Sequence, residues 1–122
     1  ALEIYRELAK QNPEAYKPHM ATTLNNLGSL LRVTNDLKQA QAYFEEALEI
    51  YRELAKQNPE AYKPHMATTL NNLGSLLRVT NDLKQAQAYF EEALEIYREL
   101  AKQNPEAYKP YVAMSLNNVS SI

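Results

Sequence analysis

Three adjacent asparagine pairs, Asn25-Asn26, Asn71-Asn72 and Asn117-Asn118, stand at one repeated position of the sequence. A carboxamide offers both a donor and an acceptor, so it can pair with the backbone of a peptide of any sequence. Other polar residues flank each pair at helical spacing: Thr22, Ser29 and Arg32 around the first, Thr68, Ser75 and Arg78 around the second, and Ser121 after the third. Arg32 and Arg78 add a guanidinium suited to an acidic side chain or a C-terminus. Together these are the candidate peptide-binding residues. Two plainer readings stand beside this one. The asparagines would also serve as a solvated helix face, or Asn25 or Asn26 would bond across to the neighbouring repeat.

The remaining reactive residues carry less. His19 and His65 are the only histidines, and Tyr111 takes their place later in the chain. A metal site needs more ligands; Glu14 and Glu60, the nearest acids, fall in an expected loop. Both histidines therefore read as solvated or packing residues at a helix start. The tyrosines, among them Tyr5, Tyr16, Tyr43 and Tyr51, read as core and edge packing with their hydroxyls at water or a carbonyl. There is no cysteine, hence no disulfide, thiolate or cysteine-zinc chemistry. Gly28 and Gly74 are the only glycines, too few for a phosphate-cradling loop. No cofactor and no metal is expected.

Repetition excludes more than composition does. Residues 1–46 recur unchanged as 47–92, and 93–122 copy the opening positions with a few substitutions. His19 becomes Tyr111, Met20 Val112, Thr22 Met114, Thr23 Ser115, Leu27 Val119, Gly28 Ser120 and Leu30 Ile122. A catalytic centre needs different residues converging on one point, and identical copies do not supply them. An enzyme is therefore not expected. Self-similarity at this period marks a repeat array. The net charge of -2 gives no footprint for nucleic acid, and no apolar run is long enough to span a membrane. The cysteine-free composition permits a reducing compartment, and a cytoplasmic location is expected.

Apolar spacing places the elements that must carry these residues. Met20, Leu24, Leu27 and Leu31 line one face of a helix expected over Pro18 to Arg32. Val33-Thr34-Asn35-Asp36 breaks it, with Asn35 suited to the left-handed conformation and Asp36 to an N-cap. A second helix follows to Gln57. Leu37, Ala40, Phe44, Ala47 or Leu48, Tyr51, and Leu54 or Ala55 form its main stripe, widened by Tyr43 and Ile50. So broad an apolar surface must be covered from two sides. Asn12-Pro13 and Lys17-Pro18 bracket an expected short connection, with Asn12 capping at most one turn. The expected boundaries are 1–17 (the end of a second helix plus loop), 18–63 and 64–109 (whole repeats), and 110–122 (an unpaired first helix).

Leu24-x-x-Leu27-Gly28-x-x-Leu31, then Ala40-x-x-x-Phe44, Ala47 and Pro59, resembles the tetratricopeptide repeat. The enlarged period, with its Ala-Leu-Glu-Ile-Tyr and Leu-Asn-Asn-Leu segments, is similar to the long repeats of kinesin light chain and of bacterial signalling proteins. The extra residues are expected in a longer second helix and, between Pro59 and Leu70, in a longer loop plus an extra turn. The resemblance implies an all-α fold, a right-handed α-solenoid of stacked antiparallel helix hairpins. It also implies that Gly28 and Ala40 are close-approach positions at a seam filled by Phe44. In such arrays the first helices line the concave groove, so the asparagines would form a ladder holding an extended peptide. Stacked helices lie ~8–10 Å apart and an extended peptide advances ~3.3 Å per residue, giving about one rung per three residues. The lysine-and-asparagine clamp for chaperone C-termini is not matched, since Asn25 and Ser29 stand in those places. The implied role is a non-enzymatic interaction scaffold whose partner is a protein or extended peptide.

A structural alternative comes from the ends. Leu2, Ile4, Tyr5 and Leu8 near the start, and Val112, Leu116, Val119 and Ile122 near the finish, are expected to be exposed. Apolar faces of that kind favour head-to-tail stacking or exchange of identical units between chains. In that case the chain is a self-assembling solenoid with no peptide ligand.

Overall fold

A computed structural model of the chain describes residues 2–121. Six helices follow in order: α1 (Leu2–Gln11), α2 (Pro13–Val33), α3 (Leu37–Gln57), α4 (Pro59–Val79), α5 (Leu83–Gln103) and α6 (Pro105–Ser120). No strand occurs among the described residues, and the fold is all-α. The chain divides into two compact units, Ala1–Tyr62 and Lys63–Ile122. In the first, α1 packs on α2 and α2 on α3; in the second, α5 packs on α6.

The turn between α2 and α3 is the one the sequence predicts. Asn35 adopts φ 68° and its counterpart Asn81 φ 67°, the left-handed conformation that asparagine tolerates. The Asp36 N–H donates to the Leu31 carbonyl at 2.8 Å and the Asn35 N–H to the Arg32 carbonyl at 3.1 Å. This paired closure satisfies carbonyls that the helix end would otherwise leave open. Asp36 holds the N-cap position, but its carboxylate makes no capping bond. Its ψ of 73° falls short of the extended conformation in which an N-cap side chain usually reaches forward.

The expected loop before Pro18 is not there. α2 begins at Pro13 and runs through Pro18 without a break, and α4 likewise runs from Pro59 through Pro64. Pro13 loses nothing at the first helical position, whose N–H has no partner inside a helix. Pro18 denies a partner to the Glu14 carbonyl, but Glu14 is exposed and water can serve it. The link between α1 and α2 shrinks to Asn12 alone, and those after α3 and α5 to Asn58 and Asn104. Asn58 accepts from the Ala61 N–H and Asn104 from the Ala107 N–H, both at 3.4 Å; the Asn12 side chain makes no such bond. The residues that enlarge the repeat therefore extend helices, and none forms a longer loop.

The cores are small and tightly fitted. α3 buries Ala40, Phe44, Ala47, Leu48, Ile50, Tyr51 and Ala55, while Leu37, Tyr43 and Leu54 flank them half-buried. Phe44 is 1% exposed and lies against Gly28, where a Cβ would stand 2.7 Å from its ring. In the second unit Leu77, Ala86 and Phe90 form the matching cluster, with Tyr89 and Val119 packed against it. Burying each large apolar side chain contributes about 1.5–3 kcal/mol. Identical sequence is not identically buried: Leu30 is 58% exposed and Leu76 fully buried. At that position the neighbours, and not the local sequence, decide burial.

The end helices are better covered than their sequence suggests. Leu2, Tyr5 and Leu8 are half-buried because α1 packs on α2, and the Tyr5 ring stacks on His19 at 6.0 Å. Arg6 adds a two-pronged ion pair to Glu46 of α3, at 2.5 and 2.9 Å. Ile4 remains 64% exposed. Val112 and Val119 are half-buried and Leu116 is 41% exposed. Ile122 lies outside the described residues.

Candidate peptide-binding groove

In the first unit the candidate residues sit on α2, which repeats its polar face once per turn. Thr22, Asn26 and Ser29 are exposed; Asn25 and Arg32 are half-buried. Thr22 Oγ1 donates back to the Pro18 carbonyl at 3.1 Å and lies 3.1 Å from the Tyr51 hydroxyl. Burial pushes the Tyr51 phenol above its ordinary pKa, and hydrogen bonds with Thr22 and Asn25 pull it partly back. Asn25 is thus engaged with the aromatic residue of the facing helix.

The second unit holds the same residues in a different state. Thr68 repeats both contacts, with Pro64 at 3.1 Å and Tyr97 at 3.3 Å. Burial again raises the Tyr97 phenol and the Thr68 bond opposes it. Asn71, however, is only 8% exposed, and neither its Nδ2 nor its Oδ1 has a hydrogen-bond partner. Thr68, Asn71, Asn72, Ser75 and Asn118 come together around a cavity of about 360 Å³, completed by Tyr97, Tyr111 and Met114. A second cavity of about 370 Å³ shares Thr68, Tyr97 and Tyr111 with it and adds Pro64, His65, Ala107 and Tyr108. The two form one groove along α4 and α6. Each is within the size of ordinary small-ligand sites.

Three candidates fall outside the groove. Asn117 is exposed and lines neither cavity. Arg78 donates to the Ser121 hydroxyl at 2.6 Å, and its guanidinium lies 5.6 Å from the centre of the Phe90 ring. Arg78 and Ser121 therefore bind each other, and neither lines the cavities, so the expected charge for an acidic ligand is not in the groove. The described lining of both cavities contains no acidic, lysine or arginine side chain.

The groove also contains residues the sequence reading left as packing. Tyr97 and Tyr111 stack with centroids 5.1 Å apart and planes 17° from parallel. Tyr108 joins them at 6.5 Å from Tyr97 and 6.2 Å from Tyr111. A signal for two of the lining residues was present: Tyr111 and Met114 are substitutions found only in the last copy. Tyr97 carries no such mark, because Tyr5 and Tyr51 are its unchanged counterparts.

Among the described residues no helix is long and apolar enough to cross a membrane, and no cluster of His, Asp or Glu could hold a metal ion. No curated protein matches the sequence. The tetratricopeptide-repeat family model matches residues 1–53 and again 52–99. Those matches span most of the sequence, and both units carry a glycine–phenylalanine seam at the positions the repeat pattern assigns. The chain belongs to the tetratricopeptide-repeat family, whose helix arrays typically serve as non-enzymatic scaffolds for protein–protein interaction.

Proposed function

We propose that the chain binds an extended peptide, and that the asparagines of its first helices hold the peptide backbone. Asn71 carries this reading. A buried carboxamide without partners costs about 1–3 kcal/mol per polar group relative to a satisfied one. Asn71 lines a cavity of about 360 Å³, and a peptide N–H and C=O entering there would satisfy both of its groups together. Asn72, Ser75 and Asn118 supply further hydrogen-bonding groups along the same wall. In the first unit Thr22, Asn25, Asn26, Ser29 and Arg32 present the same residue types, with Asn25 drawn toward Tyr51.

The test is a screen of random-sequence peptides on an array, repeated with Asn71→Ala and with Asn117→Ala. Losing two backbone hydrogen bonds should weaken binding by roughly tenfold or more. Asn117→Ala should leave it unchanged. Equal binding by Asn71→Ala and the parent protein would remove the asparagine from the mechanism. The assembly alternative makes a separate prediction: sedimentation that grows with concentration and is indifferent to Asn71→Ala.

A further inference from the structure

We propose that the groove of the second unit selects a proline-containing segment in the polyproline II conformation, its proline ring resting on Tyr108 and Tyr111, which Tyr97 backs from the core. The inference rests on the peptide-groove reading and names the ligand for it.

Three observations lead there. First, the groove has two chemically different halves. One is lined by the three tyrosines with Pro64, His65 and Ala107, and the other by Asn71, Asn72, Ser75 and Asn118. Thr68, Tyr97 and Tyr111 belong to both, so one ligand passes from the aromatic half to the amide half. Second, the lining carries no acid to pair with a cationic side chain and no lysine or arginine to pair with an anionic one. A neutral, flat group lies against such rings without needing a counter-charge from the lining. Third, the buried Asn71 amide lacks partners for both its donor and its acceptor. A proline residue keeps its carbonyl but has no N–H, so it leaves no donor stranded over the rings. The residue that follows brings the N–H that Asn71 Oδ1 lacks.

Length agrees. From Pro64 to Ser75 on α4, and from Ala107 to Asn118 on α6, the lining advances roughly 16 Å. A polyproline II segment rises ~3.1 Å per residue, so about five residues fill it. That helix is preformed in proline-rich chains and loses little entropy on docking to an aromatic groove. Tyr111 and Met114 are the last copy's own substitutions, in place of the His and Thr of the other two. The proline preference is accordingly a property of this unit's groove.

The substitutions suggest their own test. Tyr111→His and Met114→Thr each restore a residue that the other copies carry. The probe is a short fluorescent peptide of Pro-Ala-Ala triplets, compared by anisotropy with the same peptide carrying Ser for each Pro. The parent protein should bind the proline peptide about fivefold to tenfold more tightly. The double variant Tyr111→His/Met114→Thr should lose that preference, and Asn71→Ala should weaken both peptides. Equal affinity of the parent protein for the two peptides, or a preference retained by the double variant, would overturn the proline inference while leaving the groove in place. Failure of both peptides to bind would overturn the inference together with the reading it rests on. Helical circular dichroism of each variant checks that the fold is intact.

Discussion

A Cβ placed on Gly74 would stand 2.6 Å from Cε1 of Phe90, and the same atom on Gly28 would stand 2.7 Å from Cε1 of Phe44. Both rings are buried, Phe90 at 0% and Phe44 at 1% exposure, so neither can swing away into solvent. The helices meet at these two points only because the glycines have no side chain.

Gly74→Ala should therefore destabilise the protein, although alanine is the better helix former by about 1 kcal/mol. Overpacking a tight core costs typically about 1–3 kcal/mol, and three contacts under 3.0 Å to the buried Phe90 ring put this case at the upper end. A net loss of about 1–2 kcal/mol is expected in urea unfolding. A gain would show that the ring relocates at no cost.

Asn71→Leu should separate stability from function. Leucine has nearly the same shape and leaves no unpaired polar group in the wall. The variant is expected to be more stable than the parent by about 1–3 kcal/mol and to lose peptide binding. A fall in stability would mean that the Asn71 amide is satisfied in solution without a ligand.

Ser115 offers an independent check on the same physics. Its hydroxyl is fully buried without a partner, whereas Thr69 at the equivalent position donates to the His65 carbonyl at 3.1 Å. Ser115→Ala removes the unpaired group and improves helix propensity, so thermal unfolding should shift upward, by about 1 kcal/mol in stability. Peptide affinity should not change, because Ser115 lines neither cavity.

Alkaline pH should unfold the protein in part through Tyr51 and Tyr97. Burial holds both phenols above their ordinary pKa. The folded state then keeps protons that the unfolded state has released. Their contribution is complete below the unfolded value of about 10 and is lost as pH rises through the folded values. Unfolding midpoints should fall above that pH, and Tyr97→Phe should flatten the decline. A midpoint independent of pH in that range would contradict the burial of these phenols.

Much of this architecture was legible in the residues. The stripe through Ala40, Phe44, Ala47 and Tyr51 is the buried face of α3, and the left-handed Asn35 ends α2. Pro18 misled, because proline stops a helix by removing a bond, and here the orphaned carbonyl belongs to exposed Glu14 in the first turn. The groove was half legible. Polar spacing on the first helices pointed to Thr68, Asn71, Asn72 and Ser75, which do meet around one cavity. It could not show that Asn117 faces away from it, that Arg78 turns to Ser121, or that Tyr97 and Tyr111 complete the wall. Those facts depend on which helices come together. Periodicity along a single helix does not contain that information, as the unequal burial of Leu30 and Leu76 makes plain.

The side-chain amide signal of Asn71 in a nitrogen–proton NMR correlation spectrum reports directly on the central claim. It can be assigned by its disappearance in Asn71→Leu. On titration with the Pro-Ala-Ala peptide, both amide protons should shift progressively and saturate with the binding curve, as a buried donor without a partner acquires one. Saturation of the protein with the Asn71 amide signal unmoved would contradict the account.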